Sequence, residues 1–191
     1  YGTNGLKVDI PRIVNYIDKE IMKGDIAEAK LFNPDFIIAN MHWGLEYERI
    51  PSREQRELAD WLMRQGVDLV IGSHPHVVQP MELHRGKEGV PDRLVVYSLG
   101  NFISNMSREH TDGGVMVKVV LGRKGLRRYI ASAQYSLIYS SRYKNEQGKE
   151  DIRVVPAASW SGKNQNSSFS VDSALIKYVN NTRLFLKGNN K

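Results

Sequence analysis

Two histidines separated by a single proline are the first residues of this chain that could do chemistry. The triplet His74-Pro75-His76 follows residues 67–71, an apolar run typical of a buried strand. Ligands of open α/β sheets bind beyond the carboxyl ends of strands, which is where these imidazoles would lie. Because proline restricts its own φ and the preceding residue, we expect an extended triplet with both histidines on one side. Such a pair can bind a metal, and a polar turn with incidental histidines is the alternative.

Two further strand ends carry polar residues of the same kind. Residues 36–41 form an apolar run that ends at His42, and the strand predicted over residues 94–98 leads to Asn101. Glu46 follows His42 closely and could orient a histidine, bind metal or transfer a proton; a surface carboxylate paired with Arg49 is the alternative. Asn101 could position substrate or water, or cap a turn. The three strand ends together predict the floor of a binding site.

The order and spacing of three motifs resemble those of a known family. The motifs are His42-Trp43-Gly44-Leu45-Glu46-Tyr47, Ile71-Gly72-Ser73-His74-Pro75-His76-Val77 and Tyr97-Ser98-Leu99-Gly100-Asn101-Phe102. They resemble successive motifs of the bacterial capsule-synthesis proteins of the CapA, or poly-γ-glutamate capsule, family. That family belongs with the calcineurin-like metallophosphoesterases. The resemblance covers residues 1–120.

The resemblance implies an α/β (α+β) fold in which mixed β-sheets pack together and are flanked by helices. It also implies one or two divalent metal ions at the strand ends, with Mn, Fe, Zn and Mg not distinguished. His42 matches a lone ligand histidine of the superfamily, and His74 and His76 match a later G-H-x-H pair. Ser73 stands where that motif has its glycine. On this basis His42 and His74 bind one metal, while His76 reaches a second or contacts substrate.

Two earlier motifs of the superfamily, a G-D pair and an N-H pair after strands, do not occur in the sequence. We therefore expect residues 1–158 to be the C-terminal part of a CapA-like domain, followed by a polar linker and helix in residues 159–191. The missing N-terminal part of the same chain would supply the carboxylate ligands. Neutral imidazoles alone do not offset the charge of two close dications, so this chain by itself should hold one metal at most, weakly.

Composition limits the classes of protein that remain. The 191 residues are 41% hydrophobic, enough for a core, and they include no cysteine, which excludes thiol chemistry and disulfides. No apolar run reaches the roughly 20 residues that span a bilayer, so a membrane anchor would have to lie in a preceding segment. The net charge is +6, but no basic stripe carries interleaved aromatics, which argues against nucleic acid. The one dense basic patch, residues 123–128, is predicted to be a solvated hairpin turn.

Periodicity places these motifs on regular elements. Helical spacing predicts one helix over residues 11–22, which residues 25–31 could extend after a break at Gly24. It predicts another helix over residues 174–186. A further helix over residues 51–65 begins at Ser52, with Gln55 completing a capping box. Alternation predicts strands whose bounds are 77–84, 115–121, 126–138 and 152–156.

Two hypotheses of different classes follow. The first is a metal-assisted hydrolase or transferase site in which Glu46, His76 and Asn101 support catalysis on a phosphoester or γ-glutamyl substrate. The second is a non-catalytic accessory protein that uses the same cleft to bind an anionic polymer during capsule assembly or export. Both place the protein in the cell envelope, outside the cytoplasm.

Overall fold

The computed structural model describes residues 1–3, 7, 14–157 and 173–190. The described helices are α1 (Lys19–Leu31), α2 (Arg53–Arg64) and α3 (Ser173–Asn189). The described strands are β1 (Ile38–His42), β2 (Leu69–Ser73), β3 (Met81–Arg85), β4 (Pro91–Val96), β5 (Gly113–Lys124), β6 (Arg127–Lys144) and β7 (Glu150–Pro156). None of these helices combines the length and apolar character needed to cross a bilayer.

The first sheet has the strand order β1-β2-β4-β3. β1, β2 and β4 are parallel, and β3 runs antiparallel to β4. Parallel strands end at the same edge, and His42 at the end of β1 lies opposite Ser73 at the end of β2. This register brings the segments that follow β1 and β2 to one place. β3 is shorter than the strand predicted over residues 77–84, since Val78 forms only an isolated bridge with Leu99.

Two helices cover one face of this sheet. α2 begins with the predicted capping box, in which Ser52 Oγ accepts from Gln55 N and Gln55 Oε1 accepts from Ser52 N. α1 differs from the prediction: it begins after the N-cap Asp18 and runs through Gly24 without a break. Residues 14–18 are not helical, and residues 8–13 lie outside the described part of the chain. The buried face of α1 and α2 packs on β1, β2 and β4 through a cluster that includes Met22, Ile26, Leu58, Leu62, Met41, Val70 and Val95.

The opposite face of the sheet packs against a second sheet of order β5-β6-β7. β5 and β6 form the hairpin that alternation predicted, and β7 adds its edge strand. A second core cluster joins Leu69, Leu94 and Val96 of the first sheet to residues of β5, β6 and α3, among them Val115, Leu137, Tyr139, Tyr178, Val179 and Leu186. Two packed sheets flanked by helices confirm the predicted fold class.

The tip of the β5–β6 hairpin reaches the end of the first sheet that is opposite the histidines. Arg123 Nη1 lies 2.6 Å from Asp35 Oδ1, just before β1. Arg128 Nη1 lies 3.8 Å from Asp68 Oδ2, just before β2, and Arg127 pairs with Glu88 at 2.7 Å. The basic turn is exposed as predicted, but its arginines are paired with carboxylates rather than only solvated.

Candidate functional site

Three histidines meet at the carboxyl edge of the first sheet. The ring centroids of His42 and His74 are 4.7 Å apart, and those of His74 and His76 are 6.0 Å apart. His74 is buried, with 8% of its surface exposed, and the other two rings are half-buried. The parallel pairing of β1 with β2 causes this meeting, because it aligns the end of one strand with the end of the other. The imidazoles therefore form a row across two strand ends.

The backbone of the histidine turn differs from the extended form predicted from its proline. His74 has φ of 102° and His76 has φ of 61°, so both residues adopt conformations that L-amino acids rarely occupy. Tyr47, at φ of 68°, donates its N–H to the carbonyl of Pro75 at 2.8 Å and so ties the turn to the loop after β1. Three of the six non-glycine residues with positive φ in the described chain lie here. Such strain persists only where the surroundings impose it, and it is concentrated at functional sites.

Glu46 completes a group of possible metal ligands. One donor atom each from Glu46, His74 and His76 lies within 4.8 Å of the other two. Donor atoms bound to one tetrahedral first-row ion lie roughly 3.4 Å apart, so this spread is wider than that of an occupied site but within reach of side-chain rotation. Two imidazoles and one carboxylate form a donor set that suits several divalent metals. The residues therefore fit a metal, although the grouping differs from the predicted pairing of His42 with His74, since His42 lies beside the trio.

Asn101 determines which nitrogen of His76 is free. Its amide Nδ2 donates to the Thr111 carbonyl at 2.8 Å, which leaves Oδ1 facing His76 Nδ1 at 2.9 Å. An amide oxygen only accepts, so the hydrogen resides on Nδ1 and the lone pair on Nε2. Asn101 thus presents His76 in the tautomer that binds metal or accepts a proton through Nε2.

Burial keeps two of the imidazoles neutral at lower pH than usual. Desolvation lowers the pKa of His74, and positive charge on His42 lowers it further, while Glu46 opposes both effects. Desolvation also lowers the pKa of His42, with a smaller effect from His76. Neutral imidazole is the form that ligates metal, so the environment favours the binding-competent state.

Two buried glutamines hold the loop that carries Glu46 and Tyr47. Gln55 Nε2 donates to Gln79 Oε1 at 2.9 Å, and Gln79 Nε2 donates to the Glu48 carbonyl at 2.8 Å. Both side chains are buried, with 2% and 0% of their surface exposed. The sequence identified Gln55 only as a capping residue and missed Gln79, whose one signal is a polar side chain inside an apolar run.

Gly72 and Trp43 form the floor beneath the histidines. Trp43 Nε1 donates to the Tyr97 carbonyl at 2.9 Å across β2. A Cβ on Gly72 would lie 1.9 Å from that carbonyl oxygen and 2.4 Å from the indole nitrogen. Only glycine allows this close approach, so Gly72, which lies in the motif that ends in the histidine pair, has a packing role.

Cavities flank the histidine row on two sides. One of about 590 Å³ is bounded by His42 and His74; its exposed lining is mainly apolar, from Ile17, Trp43, Leu45 and Leu58, with Glu54 and Gln55 among its polar residues. Another of about 540 Å³ is bounded by His76 and Asn101, with the polar residues Ser104, Asn105, Glu150 and Asp151. The row therefore lies between a largely apolar cleft and a polar one. This arrangement can present a substrate to the imidazoles from either side.

The predicted site residues thus occupy one region. Glu46, His74 and His76 converge, His42 lies against His74, and Asn101 contacts His76. His84 is opposite Arg93 near the start of β4, at the other end of the sheet. Arg108, whose guanidinium carbon lies 4.0 Å from the centroid of the Tyr47 ring, is a site neighbour that the sequence did not reveal. Its contact joins residues 61 positions apart, and no local pattern signals it.

Fold and geometry define an α/β protein with side chains that could hold a metal ion at the carboxyl ends of parallel strands. The model of the family described as "Bacterial capsule synthesis protein PGA_cap" matches residues 2–106, and the chain belongs to that family. It is 35% identical over 112 residues to the PGA biosynthesis protein CapA of Bacillus subtilis (strain 168), covering 59% of this chain and 28% of that protein. It is also 35% identical over 107 residues to the capsule biosynthesis protein CapA of Bacillus anthracis, covering 56% and 24%. The chain spans about a quarter of the length of these relatives.

Proposed function

We propose that this chain contributes a divalent-metal site that acts on an anionic polymer or its precursors in capsule biosynthesis. The observation that carries the proposal is the convergence of Glu46, His74 and His76 at the strand ends. Membership of the capsule synthesis family and the names of the two CapA relatives support the capsule role. We place this role at the cell envelope, outside the cytoplasm, where a capsule is assembled.

In this proposal each residue has a distinct part. Glu46, His74 and His76 hold the metal, and Asn101 orients His76 through Nδ1. A bound divalent ion supplies Lewis acidity toward a phosphoryl or acyl oxygen and lowers the pKa of water. His42 lies beside His74, burial lowers its pKa, and it is placed to accept or return a proton at the edge of the apolar cleft. The buried indole of Trp43 helps to exclude water from that side.

A non-catalytic accessory role remains a second candidate. The net charge of +6 favours binding of an anionic polymer, and a fold alone does not establish an activity. Assays on phosphoesters and γ-glutamyl peptides, made on protein of known metal content, separate the two candidates.

The first prediction tests the metal site itself. The protein is dialysed to equilibrium against Mn²⁺ or Zn²⁺ at a series of free concentrations, so that weak binding is also detected, and the bound metal is then measured by elemental analysis. We expect about one ion per chain, and His74→Ala should lower metal affinity about 100-fold or more, because the buried imidazole is lost. His84→Ala, at the other end of the sheet, is the matched control and should retain the metal. Retention by His74→Ala, or no metal in the parent protein, contradicts the proposal.

A further inference from the structure

An exposed arginine, Arg108, lies next to the histidine turn and forms no ion pair with a carboxylate among the described residues. Arg108 lies in the segment between β4 and β5, and its guanidinium carbon is 4.0 Å from the Tyr47 ring centroid. The Tyr47 ring in turn stacks on His76, with centroids 6.0 Å apart and planes at 26°. Guanidinium, phenol and imidazole thus follow one another toward the metal-ligand group. This places a fixed positive charge at the rim of the site.

The segment that carries Arg108 is anchored to the same residue that orients His76. Thr111, which is fully buried, donates from both its N–H and its Oγ1 to the Arg108 carbonyl, at 3.1 Å and 2.7 Å. The Thr111 carbonyl accepts from Asn101 Nδ2, and Asn101 Oδ1 faces His76 Nδ1. The backbone at Arg108 is therefore held at a defined distance from the imidazole. A charge positioned in this way costs less entropy to use than one on a free side chain.

Neighbouring charges do not neutralise Arg108. The carboxylate next in sequence, Glu109, pairs with Lys177 at 3.6 Å and approaches His110 at 4.0 Å. Within the described part of the chain, Arg108 has no carboxylate within ion-pair distance. Other arginines close by are less available: Arg142 donates to loop carbonyls, and Arg49 stacks half-buried on Phe185 at 3.8 Å with its Nε out of reach of solvent. Arg108 alone among these three is exposed with its donors available.

We propose that Arg108 is the specificity-determining residue that receives an anionic group of the substrate, a carboxylate or a phosphate, beside the histidine turn. The inference rests on the proposed function and names the recognition element of that same site. A guanidinium offers a planar fork of donors that matches two oxygens of either anion, which a lysine does not. Stacking on Tyr47 leaves the edge of this fork free, because the ring occupies its face.

The test measures polyanion binding, so it does not depend on turnover. Fluorescein-labelled poly-L-glutamate is titrated with the full-length protein at about 0.1 M ionic strength, and affinity is followed by anisotropy. Metal-free and Mn²⁺-loaded forms are compared, and unlabelled inorganic polyphosphate competes in a second arm. Arg108→Gln should weaken binding about tenfold in at least one form. Arg108→Lys should recover only part of that loss, since it keeps the charge but not the fork.

Arg64→Gln is the matched control. Arg64 is exposed in the last turn of α2, far from the strand ends that carry the histidines, and its replacement removes the same charge. The affinity of the Arg64→Gln variant for the polyanions should stay within about twofold of that of the parent protein. A general effect of net charge is thereby separated from recognition by Arg108. A larger loss for poly-L-glutamate than for polyphosphate assigns a carboxylate, and the reverse assigns a phosphate.

Two results overturn the inference. One is equal affinity of Arg108→Gln and the parent protein in both metal states; the other is no binding of either polyanion by the parent protein. Metal retention by the parent protein and its loss in His74→Ala are measured separately. The metal measurements therefore test the proposed metal site, the anisotropy measurements test the role of Arg108, and either hypothesis can be contradicted without the other.

Discussion

The two ends of the first sheet use charge in opposite ways. At the start of its strands, Arg123 and Arg128 from the hairpin tip meet Asp35 and Asp68, so each charge has a partner within the chain. At the carboxyl ends, imidazoles lie side by side and Arg108 has no carboxylate partner among the described residues. Charges that are satisfied internally hold elements together. Charges and lone pairs left free at a strained turn are available to a ligand.

The backbone shows the same contrast. His74 and His76 carry positive φ at the carboxyl edge, whereas the β5–β6 hairpin reverses through Gly125, which adopts φ of 63°. Glycine takes that conformation at little cost, and histidine does not. Asn33 and Glu88, just before β1 and β4, also carry positive φ, so the contrast lies in which residues are strained: imidazoles that could bind a ligand at one edge, and turn residues at the other.

The largest effect on stability should come from removing the space beneath the histidines. Gly72→Ala would place a Cβ 1.9 Å from the Tyr97 carbonyl oxygen, so we expect a loss of about 3 kcal/mol in the free energy of unfolding. Gly24→Ala, inside α1 with nothing within 4 Å of the added Cβ, is the control and should stabilise by about 0.5–1 kcal/mol. Urea unfolding measures both. Equal effects would show that the carboxyl edge is not tightly packed.

A smaller effect is expected at Asn101. Asn101→Ala removes the acceptor for His76 Nδ1 and the donor to the Thr111 carbonyl, so metal affinity should fall about tenfold. Asn101→Asp keeps an acceptor for His76 and should retain more of that affinity than alanine does. Competition with a metal chelator measures both variants. If alanine and aspartate weaken metal binding equally, orientation of His76 is not the cause.

The smallest effect should be found at the hairpin tip. The Arg123 and Asp35 side chains are 55% and 56% exposed, so solvent screens their pairing despite the 2.6 Å contact. A double-mutant cycle of Arg123→Gln and Asp35→Asn should give a coupling of no more than about 0.5 kcal/mol and leave metal retention unchanged. A coupling above about 1 kcal/mol would show that hairpin docking contributes as much as a buried contact.

Much of the fold could be predicted because it depends on local patterns. Alternating apolar residues identified the β5–β6 hairpin, and the spacing of Ser52 and Gln55 identified the start of α2. The start of α1 was wrong, because apolar spacing continued upstream of Asp18 while the side chain of Asp18 caps the helix there. Gly24 did not end α1, since a lone glycine costs a helix only about 1 kcal/mol.

The sequence by itself determined which side chains stand at the strand ends. His42, His74 and Asn101 each follow an apolar run, and their motifs identified the family. Parallel pairing then brings such ends to one edge without further information.

Tertiary structure decided how those side chains are presented. The positive φ of His74 and His76 accompanies a hydrogen bond from Tyr47, about thirty positions away in sequence, to the Pro75 carbonyl. The tautomer of His76 depends on an amide 25 positions along the chain, and Arg108 reaches Tyr47 across 61 positions. Such contacts arise only when packing brings distant segments together. Local propensity does not predict these contacts, because it reflects only the conformational preferences of each residue and its sequence neighbours.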